Sequence, residues 1–360
     1  MGKVVLVTGV AGDLGRRFAL ELAESPEVDR VIGVDLSPPR GDHSAIHFIR
    51  IDIRNPVIAK VIARERVDTV VHTTVVSSDA GRVGRAALKE LNVIGSMQLL
   101  AACQQSPHLR RLVMKSSGVF YGSSPRDPAM FTEDMTAKTR IGSGYAKDIV
   151  EVESYLRGFA RRRPDVEVTT LRFANAVGPN INSALTNYFR LPVIPTVLGF
   201  NPRLQFIHED DLINALHLAT LGEAVGTFNI CGDGVLRLAQ AIHRVGRPMV
   251  PLPPIAFSPF TRVIKGTKVA DLSHEMVSFL SYGRGMDTTR MREEFGFQPT
   301  HTTESAFADF VDSLRPGVLN HERIHRVEGD VARVLRVSPL STGTGAEPVA
   351  EMTDGGVEHG

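Results

Sequence analysis

The chain has 360 residues, 42% of them apolar and 22% charged, and its 41 Lys and Arg against 40 Asp and Glu leave a formal net charge of +1. That balance excludes wholesale disorder, a disulfide miniprotein and a fibrous repeat, and it provides no global field to mark a nucleic-acid or membrane-surface binder. Cys103 and Cys231 lie too far apart in sequence to suggest a disulfide framework or a zinc ligand set, and the start MGKVVLVTGV does not resemble a signal peptide, so a cytoplasmic protein with neither membrane nor nucleic-acid partner is expected.

Short runs rich in Val, Ile and Thr predict strands at Lys3–Thr8, 30–35, 45–51, 69–76, 111–116 and 166–173. Helical spacing predicts helices over 14–25 and 86–105, the second from Leu88, Leu91, Leu99 and Leu100. Apolar strands alternating with helices predict an α/β fold, a Rossmann-type doubly wound parallel sheet. After residue 176 the prolines at 179, 192, 195 and 202, and again between 248 and 259, break this rhythm. A helix at Glu209–Leu221 and a strand at 226–231 remain. The expected organisation is a larger lobe over 1–175 to which 204–231 returns, and a smaller C-terminal lobe over 176–203 and 232–320. The stretch 331–360 has no apolar periodicity and is expected to be a disordered tail.

Residues 7–15 read VTGVAGDLG, between a strand and a helix. Gly9 permits the tight turn, Gly12 lets backbone N–H groups approach a pyrophosphate, and Gly15 allows close helix–strand packing. Asp13 and Leu14 open the helix whose N-terminus would face the phosphates. Asp35 closes the second strand, where its carboxylate would accept bonds from an adenosine ribose. A carboxylate there repels a 2′-phosphate, which favours NAD over NADP against the dissenting cations Arg16, Arg17 and Arg40.

The spacing TGxxGxxG over residues 8–15 resembles the extended short-chain dehydrogenase/reductases, the NAD-dependent epimerase/dehydratase family, with a UDP-glucose 4-epimerase-like flavour. Further matches follow in order. They are Asp52-Ile53, His72-Thr73-Thr74, the NVxGT-like run from Asn92, the SSxxVYG-like run from Ser116, the LRxxNVYGP-like run ending at Pro179, FIHEDD from Phe206, and RMREEFGFQP from Arg290. The resemblance spans about residues 3–312. It implies that Gly9, Gly12, Asp13, Leu14, Gly15, Asp35, Asp52, Ile53, His72, Thr73, Thr74, Asn92, Ser116 and Lys147 contact NAD. It implies a nucleotide-sugar substrate held by Asn175, Arg203 and Arg290 in the smaller lobe, hydride transfer to the nicotinamide, and a homodimer.

Family chemistry uses a Ser or Thr, a Tyr, and a Lys four residues after the Tyr. Ser117 matches the first and Lys147 the last. In that register the tyrosine position is Ser143, a poor replacement for a phenolate base. Tyr145 is a candidate only if the chain presents it to the cleft, because on a regular helix it lies about 200° from Ser143. Tyr121 and His72 are alternative bases. A sensor that binds NAD without efficient catalysis is the alternative function. The scattered histidines show no metal-ligand spacing, so no metal is expected.

Overall fold

The computed structural model describes residues 2–75, 84–139, 141, 144–253 and 273–314. In chain order come β1 (Lys3–Thr8), α1 (Asp13–Ala23), β2 (Val28–Asp35), β3 (Ile46–Arg50), α2 (Ile58–Arg64), β4 (Thr69–His72), α3 (Arg85–Lys89), α4 (Ser96–Gln105), β5 (Arg111–Ser117), α5 (Gly144–Arg162) and β6 (Glu167–Phe173). Then follow β7 (Asn175–Val177), α6 (Ala184–Phe189), β8 (Ile194–Val197), β9 (Arg203–Leu204), β10 (Phe206–His208), α7 (Glu209–Leu221) and β11 (Gly226–Ile230). The described chain closes with β12 (Leu236–Arg237), α8 (Leu238–Val245), β13 (Met249–Leu252), α9 (His274–Tyr282), α10 (Thr289–Glu293) and α11 (Thr303–Asp312).

Seven strands pair in parallel in the order β11-β6-β5-β4-β1-β2-β3. The sheet is buried on both faces. Along β1, Leu6 packs into one core with Ile32, Val70 and Leu112, while its neighbours Val5 and Val7 pack into the opposite core with Val31, Val113 and Leu171. This is the period-2 alternation of a strand sandwiched between helix layers, and it explains why these strands read as continuous apolar runs. The expected doubly wound α/β fold is the observed one. The strand order reverses between β1 and β4, and a crevice opens beyond the carboxyl ends of strands at such a point.

A third core collects residues from 177 to 310 and is heavily aromatic, with Tyr188, Phe189, Phe206, Phe307 and Phe310 buried together. Three two-stranded pairs, β7 with β10, β9 with β12 and β8 with β13, surround it in place of regular βα units. The helix expected over 86–105 is one rod broken by a π-helical turn at Glu90–Gly95. At Gly95 a side chain would run into Ile53, its Cβ standing 2.8 Å from Ile53 Cδ1. No helix among the described residues is long and apolar enough to cross a membrane.

Candidate active site

The glycine turn after β1 is built on steric necessity. Gly9 has φ +81, and a Cβ there would lie 2.9 Å from Thr73 Oγ1 and 3.2 Å from Thr74 Oγ1. A Cβ at Gly15 would collide with the Gly9 carbonyl, so α1 packs directly on the turn. Gly12 caps α1 in an extended conformation, and no side chain bonds the cap. The first-turn N–H groups therefore face the crevice with the positive end of the helix dipole. Asp13 pairs with Arg16 at 2.8 Å. Asp35 stands at the mouth of the turn, where one carboxylate oxygen accepts from Ala11 N (3.0 Å) and the other from Leu36 N (2.7 Å). Thr73 Oγ1 donates to Thr8 O at 2.6 Å, and Thr74 Oγ1 is buried with no hydrogen-bond partner. A cradle that any side chain would fill, an uncapped helix terminus, a carboxylate at the end of β2 and an orphaned hydroxyl together fit a dinucleotide.

Other residues expected near the cofactor serve as braces. The Arg54 guanidinium forks onto Asp52 at 2.6–3.0 Å and holds its carboxyl below the usual carboxylate range. Ile53 is buried in the core. Asn92 donates to Asp148 at 3.1 Å, and Asp148 in turn receives both guanidinium nitrogens of Arg85 at 2.7 Å. Ser116 donates to Glu153 at 2.6 Å and also lines the cleft.

That cleft, about 460 Å³, lies at the carboxyl ends of β5 and β6 and is lined by Leu14, Ser117, Tyr145 and Asn175 among others. Ser117 ends β5, accepts from Val119 N at 3.3 Å and hydrogen-bonds the Tyr145 phenol. Tyr145 reaches the cleft because of where α5 begins. Its first residue, Gly144, has φ +80, and a Cβ there would run into the Glu275 carboxylate. Glu275 Oε1 accepts from Ala146 N at 3.3 Å, so a carboxylate from α9 caps α5 and sets its phase. Burial raises the Glu275 carboxyl above its ordinary range. Burial, reinforced by the Asp148 and Glu275 carboxylates, raises the Tyr145 phenol well above the usual value. Ser143, the residue in the family's tyrosine register, lies outside the described residues.

Three expectations are corrected by the geometry. Lys147 sits about 200° round the helix from Tyr145. Its ammonium pairs with Glu151 at 3.8 Å, 43% exposed, and does not line the cleft. His72 is buried, with Nδ1 bonded to Thr8 Oγ1 and Nε2 to Ser96 Oγ, each at 2.8 Å. Burial, and secondarily the Lys115 charge, pulls it down to about 3, so it is a neutral link between strands and α4 rather than a base. Tyr121 is core: it stacks on Phe131, donates to Asn229 Oδ1 at 2.7 Å and accepts from Arg172 at 2.8 Å.

The expected phosphate-binding arginines also fall elsewhere. Arg203 is exposed on β9 and absent from the cleft wall. Arg290 pairs with Glu294 at 2.8 Å and borders a separate cavity of about 540 Å³ beside Glu133 and Arg172. The arginine that does line the main cleft, among the described residues, is Arg284, which donates to Gly122 O at 2.7 Å and Ser123 Oγ at 3.2 Å. Burial pulls its guanidinium down to about 10.

Lys115 is the second missed residue. It shares the β5 face of Ser117, two residues away, lines the cleft and donates to Val75 O at 3.4 Å. Burial of its ammonium brings it down to about 8. Its signal was present in sequence as a lone lysine inside an apolar strand, RLVMKS.

Residues 5–231 match the NAD dependent epimerase/dehydratase family. The chain belongs to that family. An uncharacterized protein of Mycobacterium tuberculosis is 46% identical over 333 residues, covering 91% of this chain and 88% of that protein. UDP-glucose 4-epimerase 2 of Arabidopsis thaliana is 26% identical over 303 residues, covering 70% of this chain and 83% of that enzyme. Among solved structures, a Thermotoga maritima UDP-glucose 4-epimerase with UDP-glucose superposes with a TM-score of 0.66 at 21% identity, covering 86% of this chain and 98% of that one. A Bacillus anthracis dTDP-glucose 4,6-dehydratase in complex with NAD gives 0.64 at 19%, covering 87% and 96%. The family and its fold place this chain among NAD-dependent oxidoreductase-like proteins.

Proposed function

We propose that the chain is an NAD-dependent epimerase or dehydratase that acts on a nucleotide-sugar by transient oxidation of a sugar hydroxyl. The observation that carries this reading is the meeting of the Ser117 and Tyr145 hydroxyls in one cleft that reaches the first turn of α1 at Leu14. NAD, when bound, supplies the hydride acceptor. Ser117 and Tyr145 would hold the reacting sugar hydroxyl and handle its proton. Asn175 and Arg284, both on the cleft wall, would hold the diphosphate, where a partly desolvated guanidinium makes strong charge-assisted bonds. Residues 1–175 with 204–231 would form the cofactor lobe, and 176–203 with 232–320 the substrate lobe.

NAD is favoured over NADP. Asp35 faces the turn, and two of the three dissenting cations are engaged, Arg16 with Asp13 at 2.8 Å and Arg17 with Asp210 at 2.5 Å and Glu209 at 3.2 Å, while Arg40 is exposed. The sensor alternative draws on one observation, the outward Lys147, which removes the family's cation from its usual side of the tyrosine. Incubation with NAD and UDP-glucose, UDP-glucuronate or dTDP-glucose separates the two. The enzyme reading expects conversion of one of them. NAD binding with no conversion of any would favour the sensor.

A further inference from the structure

The cleft holds an amine that the family pattern does not use. Lys115 Nζ and Tyr145 Oη, from β5 and α5, both donate to the same acceptor, Val75 O, at 3.4 Å and 3.5 Å. Ser117 bonds the same phenol and shares the strand face of Lys115. The lysine expected from α5 is elsewhere, paired with Glu151. We propose that Lys115 and Tyr145 form one proton-handling pair, with Lys115 Nζ the proton acceptor and the Tyr145 hydroxyl its relay.

The environment supports this division of labour. Burial brings Lys115 to about 8, so roughly a tenth of the amine is free at pH 7 and about half near 8, while the Tyr145 phenol is pushed the other way and stays protonated. Among the described residues, the other charged or titratable groups around the pair are His72 from β4, Asp148 from α5, His274 and Glu275 from α9, and Arg284. His72 titrates only near about 3 and cannot compete for the proton. In the oxidative direction the sugar O–H breaks and its proton goes to Tyr145 Oη. The phenol's own proton goes to Lys115 Nζ, which becomes an ammonium. The C–H electron pair leaves as hydride, accepted by the NAD invoked above, and the sugar carbon becomes a carbonyl. This role rests on the nucleotide-sugar reading, but the pairing itself does not.

The test has two arms. In the first, the cofactor-free protein is reductively methylated with isotope-labelled formaldehyde and its lysine signals are titrated by NMR, with Lys115→Arg assigning the resonance. The pairing expects a midpoint near 8 for Lys115 that moves when Tyr145 is replaced by Phe. A midpoint at the ordinary lysine value, or one unmoved in Tyr145→Phe, overturns it. In the second arm, turnover of UDP-glucose with NAD is followed against pH. A proton acceptor predicts a rise through about 8 in the wild type, and a loss of about 100-fold in both Lys115→Met and Lys115→Arg. Lys147→Met should lose less than either. Retention of activity in Lys115→Arg would show that charge alone suffices and would overturn the acceptor role. A moved midpoint with no turnover of any nucleotide-sugar would instead defeat the proposed function and leave the pair standing.

Discussion

Gly9 shows how one residue ties sequence to chemistry. Its φ of +81 and the hydroxyls within 3.2 Å of a would-be Cβ leave room for no other residue. Gly9→Ala should cost roughly 1–3 kcal/mol of stability and abolish measurable NAD binding, checked by thermal denaturation and calorimetry. Lys115 acts in the opposite sense. Its pKa is lower in the folded state than the ordinary 10.5, so the unfolded chain binds more protons between about 8 and 10.5, and stability rises with pH across that window. Below about 8 the desolvation penalty is fully present. Lys115→Met should therefore raise stability at pH 7, by roughly 1–2 kcal/mol, with the gain shrinking as pH climbs towards 10 while activity is lost. His72 is depressed to about 3, so the stability that its neutral form contributes is lost as pH falls from 6.5 towards that value. The advantage of wild type over His72→Gln in denaturant melts should narrow across that range, by up to about 1.4 kcal/mol per pH unit.

At the scale of the element, the beginning of α5 decides what the site contains. A helix turned by two residues presents a different side chain to the cleft, about 200° round. Here Gly144 and the Glu275 cap present Tyr145 and turn Lys147 outward. Glu275→Ala should destabilise the first turn by about 1 kcal/mol, and it should lower turnover more than it lowers NAD affinity, because it loosens Tyr145 and leaves the glycine turn intact. The same element marks the limit of what the sequence made legible. The glycine turn and the apolar strands could be read because local sterics and period-2 burial demand those residues. The phase of α5 could not, since its cap comes from a carboxylate 129 residues further along the chain. The register of a Lys four residues after a Tyr points to Ser143 and Lys147, and the lysine of the neighbouring strand sits within an apolar run that carries no register of its own. Arg284 gave no local signal at all, because it is defined only by the cleft it faces.

At the scale of the whole molecule, the near-zero net charge means that the anionic ligands of the proposed function would have to be recognised by local devices. On the proposed reading these devices are the N-terminus of α1, the Arg284 guanidinium on the cleft wall and the Asp35 carboxylate, which would disfavour a 2′-phosphate. Asp35→Ala should weaken NAD more than NADP, and equal losses in binding would contradict the ribose assignment. The sheet supplies the glycine turn, Lys115 and Ser117 from its carboxyl edge, and the aromatic third core supports the elements across the cleft. The measurement that tests the central claim most directly is single-turnover mixing of the NAD-loaded protein with UDP-glucose or its relatives, monitored by the absorbance of reduced NAD. Transient reduction in the wild type, slowed about 100-fold or more in Tyr145→Phe, is the predicted result. Equal reduction in the two proteins, or none in the wild type with any of the nucleotide-sugars, would contradict it.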